Sequence, residues 1–202
     1  YSEDFSQWDV FDVTTSLDGT ISPDGTANAA KLQDSAANSN HDIRSPNSTI
    51  SSGAVVGSVY LKAGTLSWAR LRFNGTSSQI RGWFDLSAGE VGTVDAGGEG
   101  VIEDVGNGWF RCSIIEPGNT ASTATAILQV FTQETDAQTT YSGSGSHIYL
   151  WGAQLEQAST PSSYIPTSGS TVIRGGQSLV VPANWYDVDN PTYTGPELVT
   201  NG

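Results

Sequence analysis

The chain has 202 residues, a formal net charge of -13 with eight Lys and Arg against 21 Asp and Glu, 23 glycines and a single cysteine. That charge balance argues against the phosphate attraction used by nucleic-acid binders and against anionic membranes as general partners, so no nucleic acid is expected. One cysteine excludes an intrachain disulfide and a multi-cysteine zinc site, while the length allows one sizeable core with some extra tail. In chain order, short alternating apolar runs predict strands at Asp9–Thr14, Ala29–Gln33, His41–Ser45, Ala54–Ala63, Trp68–Asn74 and Ile80–Leu86. Further runs follow at Glu90–Asp95, Gly100–Val105, Trp109–Ile115, Ser122–Gln133 and His147–Glu156. Turn chemistry separates them, as in "SPDGT", "NGTSS", "DAGGEG", "EPGNT" and "SGSGS".

So many short strands, with no segment of helical period, suit two packed sheets: an all-β, antiparallel β-sandwich. Cys112 within "GWFRCSII" reads as a small buried residue. No apolar run approaches a membrane span, so no membrane insertion is expected. The chain begins at Tyr1 and contains no Met, and is expected to be a piece of a longer protein. After Glu156, "ASTPSSYIPTSGST" reads as an extended segment lying along the domain. Residues 1–174 are then one β-sandwich domain, and 175–202 a linker with the start of a following module. Leu179, Val181, Trp185 and Tyr186 of that tail are expected to dock on a neighbour.

Strand alternation separates two kinds of side chain. Across "WARLRF", Ala69, Leu71 and Phe73 form an apolar face and Trp68, Arg70 and Arg72 the other. Across "RGWFDL", Phe84 and Leu86 point inward, leaving Arg81, Trp83 and Asp85 opposite. A hairpin through "NGTSSQ" would set both polar rows on one surface. "WFRCSI" adds Arg111, "SVYLK" adds Tyr60 and "HIYLWG" adds Tyr149 to the non-core sides of their strands. Sugar rings stack their C–H patches on Trp and Tyr, while hydroxyls, carboxylates or sulfates suit the planar donors of Arg. The candidate ligand-binding set is therefore Trp83, Arg70, Arg72, Arg81, Trp68, Asp85, Arg111, Tyr60 and Tyr149. The opposing reading makes the arginines ion-pair partners that cover a second face, and Trp8, Trp109 and Trp151 structural.

Six segments in order, "YSEDFSQW", "SPDGTANAAKL", "SVYLKAG", "WFDLSAGEVGTVDAG", "IEDVGNGWFRCSI" and "IYLWGAQLEQASTPSSYIPTSGSTVIR", carry a resemblance. Together they resemble a domain of bacteriophage tail and tail-fibre proteins that is similar to the jelly-roll carbohydrate-binding modules of families 4, 9, 16 and 22. The resemblance implies a jelly roll (concanavalin A-like or galactose-binding-like) with a concave sugar-binding face and an extracellular or virion-associated location. It also implies neighbouring modules in the same chain, with a homo-oligomeric fibre as one setting. Modules of this kind often hold one structural Ca²⁺ where the N-terminal segment meets the last strand, where Glu3, Asp4, Asp24 and Glu156 supply hard oxygen ligands.

Catalytic signals are weak. "ETDAQT" matches the E-x-D part of a jelly-roll hydrolase pattern, but Thr139 stands where a third carboxylate belongs, and the segment reads as an exposed loop. His41 and His147 have no metal-ligand spacing, and no serine elbow is present. The expected function is a non-catalytic, polysaccharide-binding module of a larger extracellular or phage tail protein, taking a polysaccharide or cell-surface glycan. The alternatives are an assembly module that uses the same face for domain or protomer contacts and, more weakly, a polysaccharide hydrolase or lyase.

Overall fold

The structure, a computed structural model, describes residues 1–170 and Val172. The expected tail module and its docking residues lie outside the described residues. Apart from a three-residue 3-10 turn at Phe5–Gln7, the regular structure is all strand. The strands are β1 (Asp9–Phe11), β2 (Val13–Leu17), β3 (Ala30–Asp34), β4 (Asn38–Ser39), β5 (Asp42–Arg44), β6 (Ser48–Ile50), β7 (Val55–Ala63) and β8 (Trp68–Asn74). They continue as β9 (Arg81–Asp85), β10 (Glu90–Val94), β11 (Glu99–Gly106), β12 (Trp109–Glu116), β13 (Thr123–Gln133), β14 (Tyr141–Ser142) and β15 (His147–Glu156).

Two antiparallel sheets pack face to face as a β-sandwich. A seven-stranded sheet runs β1-β5-β13-β8-β9-β10, with β6 also pairing β13, and a six-stranded sheet runs β11-β12-β7-β15-β3-β2. The ribbon β4/β14 stands apart from both. Each expected strand is present, with one division. Asp12, at φ 52°, breaks the first into β1 and β2 and sends them to different sheets. Its carbonyl accepts from Ser35 N at 2.9 Å and lies 2.8 Å from His41 Nδ1, so the crossing is fastened on both sides.

The core is the set of inward residues that alternation picks out. Ala69, Leu71 and Phe73 of β8, with Leu128 and Val130 of β13, face Val59 and Leu61 of β7, Cys112 and Ile114 of β12, and Ile148 and Leu150 of β15. Each such aliphatic or aromatic side chain contributes about 1.5–3 kcal/mol when fully buried. Glycines allow the sheets to approach closely, as at Gly57 and Gly82. A Cβ on Gly57 would lie 2.7 Å from Phe73 Cε1, and one on Gly82 would lie 2.7 Å from Ile114 Cγ2. Cys112 is fully buried, and that burial pushes its thiol pKa well up, which leaves it a packing residue.

The extended segment after β15 lies over the outer face of the six-stranded sheet. Glu156 accepts from Ser162 N at 3.0 Å and Gln154 Oε1 from Ile165 N at 2.9 Å. Tyr164 tilts against Trp151 at 4.8 Å and meets Tyr60 edge-on at 5.9 Å. Its hydroxyl lies 2.7 Å from Ser2 Oγ, and Ser2 N donates to the Thr167 carbonyl at 3.1 Å. The part of that face around Trp151 and Tyr60 is thus covered by the chain itself, while Lys31, Gln33, Lys62 and Tyr149 stay half-exposed.

At the end of β12, Glu116 holds the β8–β9 loop, accepting from Ser77 Oγ at 2.6 Å and Ser78 N at 2.8 Å. Burial alone would raise its pKa, but the hydrogen bonds from Ser77, Thr76 and Ser78 outweigh it and hold the carboxyl below its ordinary 4.5. A carboxyl depressed in the folded state stabilises above its unfolded pKa and loses that contribution as pH falls through the folded one. Urea unfolding between about pH 7 and pH 3 is expected to show an acid-side loss of stability that Glu116→Gln makes shallower. An unchanged slope would remove Glu116 from the acid response.

Candidate functional site

The outer face of the seven-stranded sheet is built from three rows that cross adjacent strands. Directly paired residues in an antiparallel ladder point to the same side, with strands about 4.8 Å apart. The first row is Asp9–Arg44–Gln129–Arg72–Arg81, from β1 through β5, β13 and β8 to β9. The second is Phe11–Asp42–Phe131–Arg70–Trp83 over the same strands. The third is Gln133–Trp68–Asp85–Glu90, shifted toward β10. The expected grouping of Trp68, Arg70, Arg72, Arg81, Trp83 and Asp85 on one surface is therefore present.

The two main rows differ in access. In the first, Arg44, Arg72 and Arg81 are half-buried. Arg44 lies 3.4 Å over the Phe11 ring, and its Nε donates to Asp42 Oδ2 at 2.7 Å. Arg72 donates only to a neutral acceptor, Gln79 Oε1, at 2.7 Å. Arg81 makes a two-point pair with Asp95, Nε to Oδ2 at 2.8 Å and Nη2 to Oδ1 at 3.1 Å, and this pairing raises its pKa.

The second row is closed. Arg70 and Trp83 are each only 2% exposed, because residues 134–140 fold over them. The Gln138 carbonyl accepts from Trp83 Nε1 at 2.7 Å and from Arg70 Nη1 at 3.5 Å. Arg70 Nη2 donates to Asn40 Oδ1 at 2.9 Å, and its guanidinium lies 3.7 Å above Phe131. Burial first, and then repulsion from Arg81 and Arg72 that the pull of Asp42 and Asp95 does not cancel, bring the Arg70 pKa down to about 10. As ligand contacts Arg70 and Trp83 are therefore corrected: with the loop in place neither is reachable, and Trp83 is a packed indole rather than a platform.

Three other members of the candidate set stand on the opposite sheet. Tyr60 of β7, Arg111 of β12 and Tyr149 of β15 belong to the six-stranded sheet, so they do not share a surface with Arg72. Alternation tells which side of its own strand a residue takes, and the sheet to which that strand belongs depends on long-range pairing. There Tyr60 lies edge-on to Trp151 at 5.2 Å, Arg111 Nη2 donates to Ser58 Oγ at 3.0 Å, and Tyr149 donates to Asp18 Oδ2 at 3.2 Å. Trp8, Trp109 and Trp151 are buried, Trp109 Nε1 donating to the Ile21 carbonyl at 2.9 Å and Trp8 Nε1 to the Tyr1 carbonyl at 3.0 Å. Those positions are structural.

The sequence reading missed Arg44, Gln129 and Asp42 of this face. The alternation of "HDIR" carried a signal, since Asp42 and Arg44 are two apart and must share a side. Among the described residues, nine buried side-chain nitrogen or oxygen atoms have no hydrogen-bond partner. Six belong to this one face: Asp42 Oδ1, Arg70 Nε, Arg72 Nε, Gln129 Oε1, and both Gln133 Oε1 and Nε2. Each buried unmet group costs about 1–3 kcal/mol, a cost the fold carries beneath this face, since these atoms are shielded from solvent.

The four residues expected to hold calcium do not converge. Asp4 Oδ1 accepts from Ser6, Asp24 Oδ1 from Ser22 Oγ at 2.6 Å and Thr26 N at 2.8 Å, and Glu156 from Ser162. Glu3 Oε1 lies 2.9 Å from the Tyr164 hydroxyl. Among the described residues, no three Asp, Glu, His or Cys side chains are placed to share a metal ion. The donor set does not fit, because each carboxylate is already spent on local hydrogen bonds. Two shallow depressions flank the N-terminal segment, and neither includes a residue of the arginine row.

The "ETDAQT" carboxylates likewise have structural partners. Asp136 accepts from Thr93 N at 2.8 Å and Thr93 Oγ1 at 2.9 Å, which pins the loop to β10, and Glu134 accepts from Gln138 Nε2 at 3.3 Å. The fold and this face define an all-β sandwich with one side partly covered by the chain's own C-terminal segment and one polar side of arginine, glutamine and aromatic rows. No family model matches the chain, and no curated protein is significantly similar to it.

Proposed function

We propose that the chain is a non-catalytic carbohydrate-binding module of a larger extracellular or phage tail protein. It takes polysaccharide on the outer face of the seven-stranded sheet, along Arg44, Arg72 and Arg81. The observation that carries this reading is the concentration of three half-buried arginines, Arg44, Arg72 and Arg81, in one row of that face. Across β5, β8 and β9, the row offers planar guanidinium donors suited to hydroxyl, carboxylate or sulfate oxygens. Trp68 and Phe11, both partly exposed, flank the rows and offer apolar ring surface. Such a face binds without breaking bonds, and repetition along a fibre would raise avidity.

Affinity electrophoresis in gels cast with several polysaccharides tests it. The wild-type chain is expected to be retarded in at least one gel, and Arg72→Gln to weaken that interaction about tenfold or more, as loss of a charged hydrogen bond does. Unretarded migration in all of them would contradict the reading.

A second reading, an assembly module, is favoured by one observation. Val10, Leu17 and Ile21 are 49%, 68% and 55% exposed, and β1 and β2 are sheet edges open to further pairing. In that case light scattering shows a defined oligomer that Leu17→Glu disperses, and a monomer at every concentration removes it.

A further inference from the structure

The charge on the arginine face narrows the ligand, on the footing of the saccharide reading above. Four of the chain's eight Lys and Arg side chains, Arg44, Arg70, Arg72 and Arg81, project from this one surface of a protein with net charge -13. Two are neutralised within the fold, Arg44 by Asp42 and Arg81 by Asp95. The two between them are not. Arg72 has Gln79, and Arg70 has Asn40 and the Gln138 carbonyl, all neutral acceptors, and among the described residues no carboxylate lies within ion-pair distance of either.

The other carboxylates of the face do not supply the missing charge. Asp85 accepts from Ser87 N at 2.8 Å, Ser87 Oγ at 2.5 Å and Ala88 N at 3.2 Å, which commits it to its own turn. Asp9 and Glu90 stand exposed at the ends of their rows. A guanidinium removed from water without a counter-charge costs several kcal/mol, and an arriving anion relieves that cost. A neutral sugar would need donors here, but it would not need an accessible uncompensated cation, Arg72, in an otherwise acidic chain that repels anions at long range.

We propose that the saccharide recognised by this face carries an anionic group, a carboxylate or a sulfate ester, seated at Arg72 between Arg44 and Arg81. The Arg70 pKa is lowered chiefly by burial, with smaller opposing contributions from Arg81 and Arg72 on one side and Asp42 and Asp95 on the other. Selectivity then comes from the row: the anion pairs with Arg72, while the neighbouring ring hydroxyls meet the outer edges of the paired arginines, Arg44 and Arg81.

Isothermal titration of the whole chain with oligogalacturonate, dextran sulfate and neutral dextran, at low and high salt, tests this. At least one anionic probe is expected to bind, with dextran about tenfold weaker or silent, and added salt is expected to weaken the anionic complex. The arm that binds distinguishes carboxylate from sulfate. Arg72→Gln is expected to reduce anionic binding about tenfold with an unchanged melting temperature, and Arg72→Lys to restore part of it. Equal binding of dextran, or indifference to Arg72→Gln, overturns the anionic assignment and leaves the saccharide reading standing. Silence from all three probes overturns both. A double-stranded DNA fragment bound as tightly as the saccharides overturns it as well, since the face would then be a general polyanion surface.

Discussion

Asp34→Ala is expected to lower the stability of the sandwich by about 3 kcal/mol, measured by urea unfolding, with Asp34→Asn costing about 1 kcal/mol. Asp34 closes β3 and is only 4% exposed. Its Oδ1 accepts from three successive backbone donors, Ser144 N at 3.0 Å, Gly145 N at 2.7 Å and Ser146 N at 2.8 Å. Its Oδ2 accepts from the Tyr141 hydroxyl at 2.8 Å, which also lies 2.7 Å from Thr132 Oγ1. One carboxylate thus fixes the turn into β15 and anchors β14, the C-terminal end of the loop that covers Arg70 and Trp83. Alanine strands the buried Tyr141 hydroxyl with one partner and frees the turn. Asparagine keeps one acceptor, so most of the geometry survives. A loss under about 1 kcal/mol for the alanine variant would mean that the turn is held by something else.

Trp83→Ala is expected to cost about 3–5 kcal/mol, the range for removing a large buried aromatic. The indole is packed between Arg70 and Arg81, whose guanidinium carbons lie 5.4 Å and 5.6 Å from its ring, and is roofed by the Gln138 carbonyl. The substitution removes the packing and the Nε1 hydrogen bond together. Trp83→Phe, which keeps most of the packing, is expected to cost about half as much. Calorimetric melting of both variants provides the measurement, and a melting temperature unchanged by Trp83→Ala would show that the indole is not part of the packed structure. The folded fraction of Trp83→Phe is expected to keep its saccharide affinity, because the exposed arginine row does not include it.

The difference between Trp83 as packing and Trp83 as platform shows where sequence reading stops. Alternation in "WARLRF" and "RGWFDL" correctly separates Ala69, Leu71 and Phe73 from Trp68, Arg70 and Arg72, because the period of a strand is a local property. The hairpin that sets both rows on one surface was legible too, from the turn residues between the two runs, whereas its register, pairing Arg70 with Trp83, was not. Coverage was not. Gln138 reaches Trp83 from a loop 55 residues further along the chain, and nothing in either segment announces that contact. Sheet membership was equally hidden for Tyr60, Arg111 and Tyr149, because strand partners are chosen by long-range packing of two apolar faces. Asp12 was hidden for another reason: a positive φ at a non-glycine residue leaves no pattern in a run that alternates on both sides of it. Arg44 was overlooked although a strand was expected at His41–Ser45 and alternation puts Arg44 on the side of Asp42, since the pairing of that strand with β13, which brings it to the arginine face, is a long-range choice.

The most direct measurement is a heteronuclear NMR titration of the ¹⁵N-labelled chain with oligogalacturonate or whichever saccharide proves to bind. Chemical-shift changes are expected at Arg44, Gln129, Arg72 and Arg81 and their strand neighbours, with Tyr149, Lys31 and the rest of the six-stranded sheet's outer face unmoved. Perturbations centred on Tyr149 and Lys31, or on β1 and β2 alone, would contradict the assignment of the ligand to the arginine row.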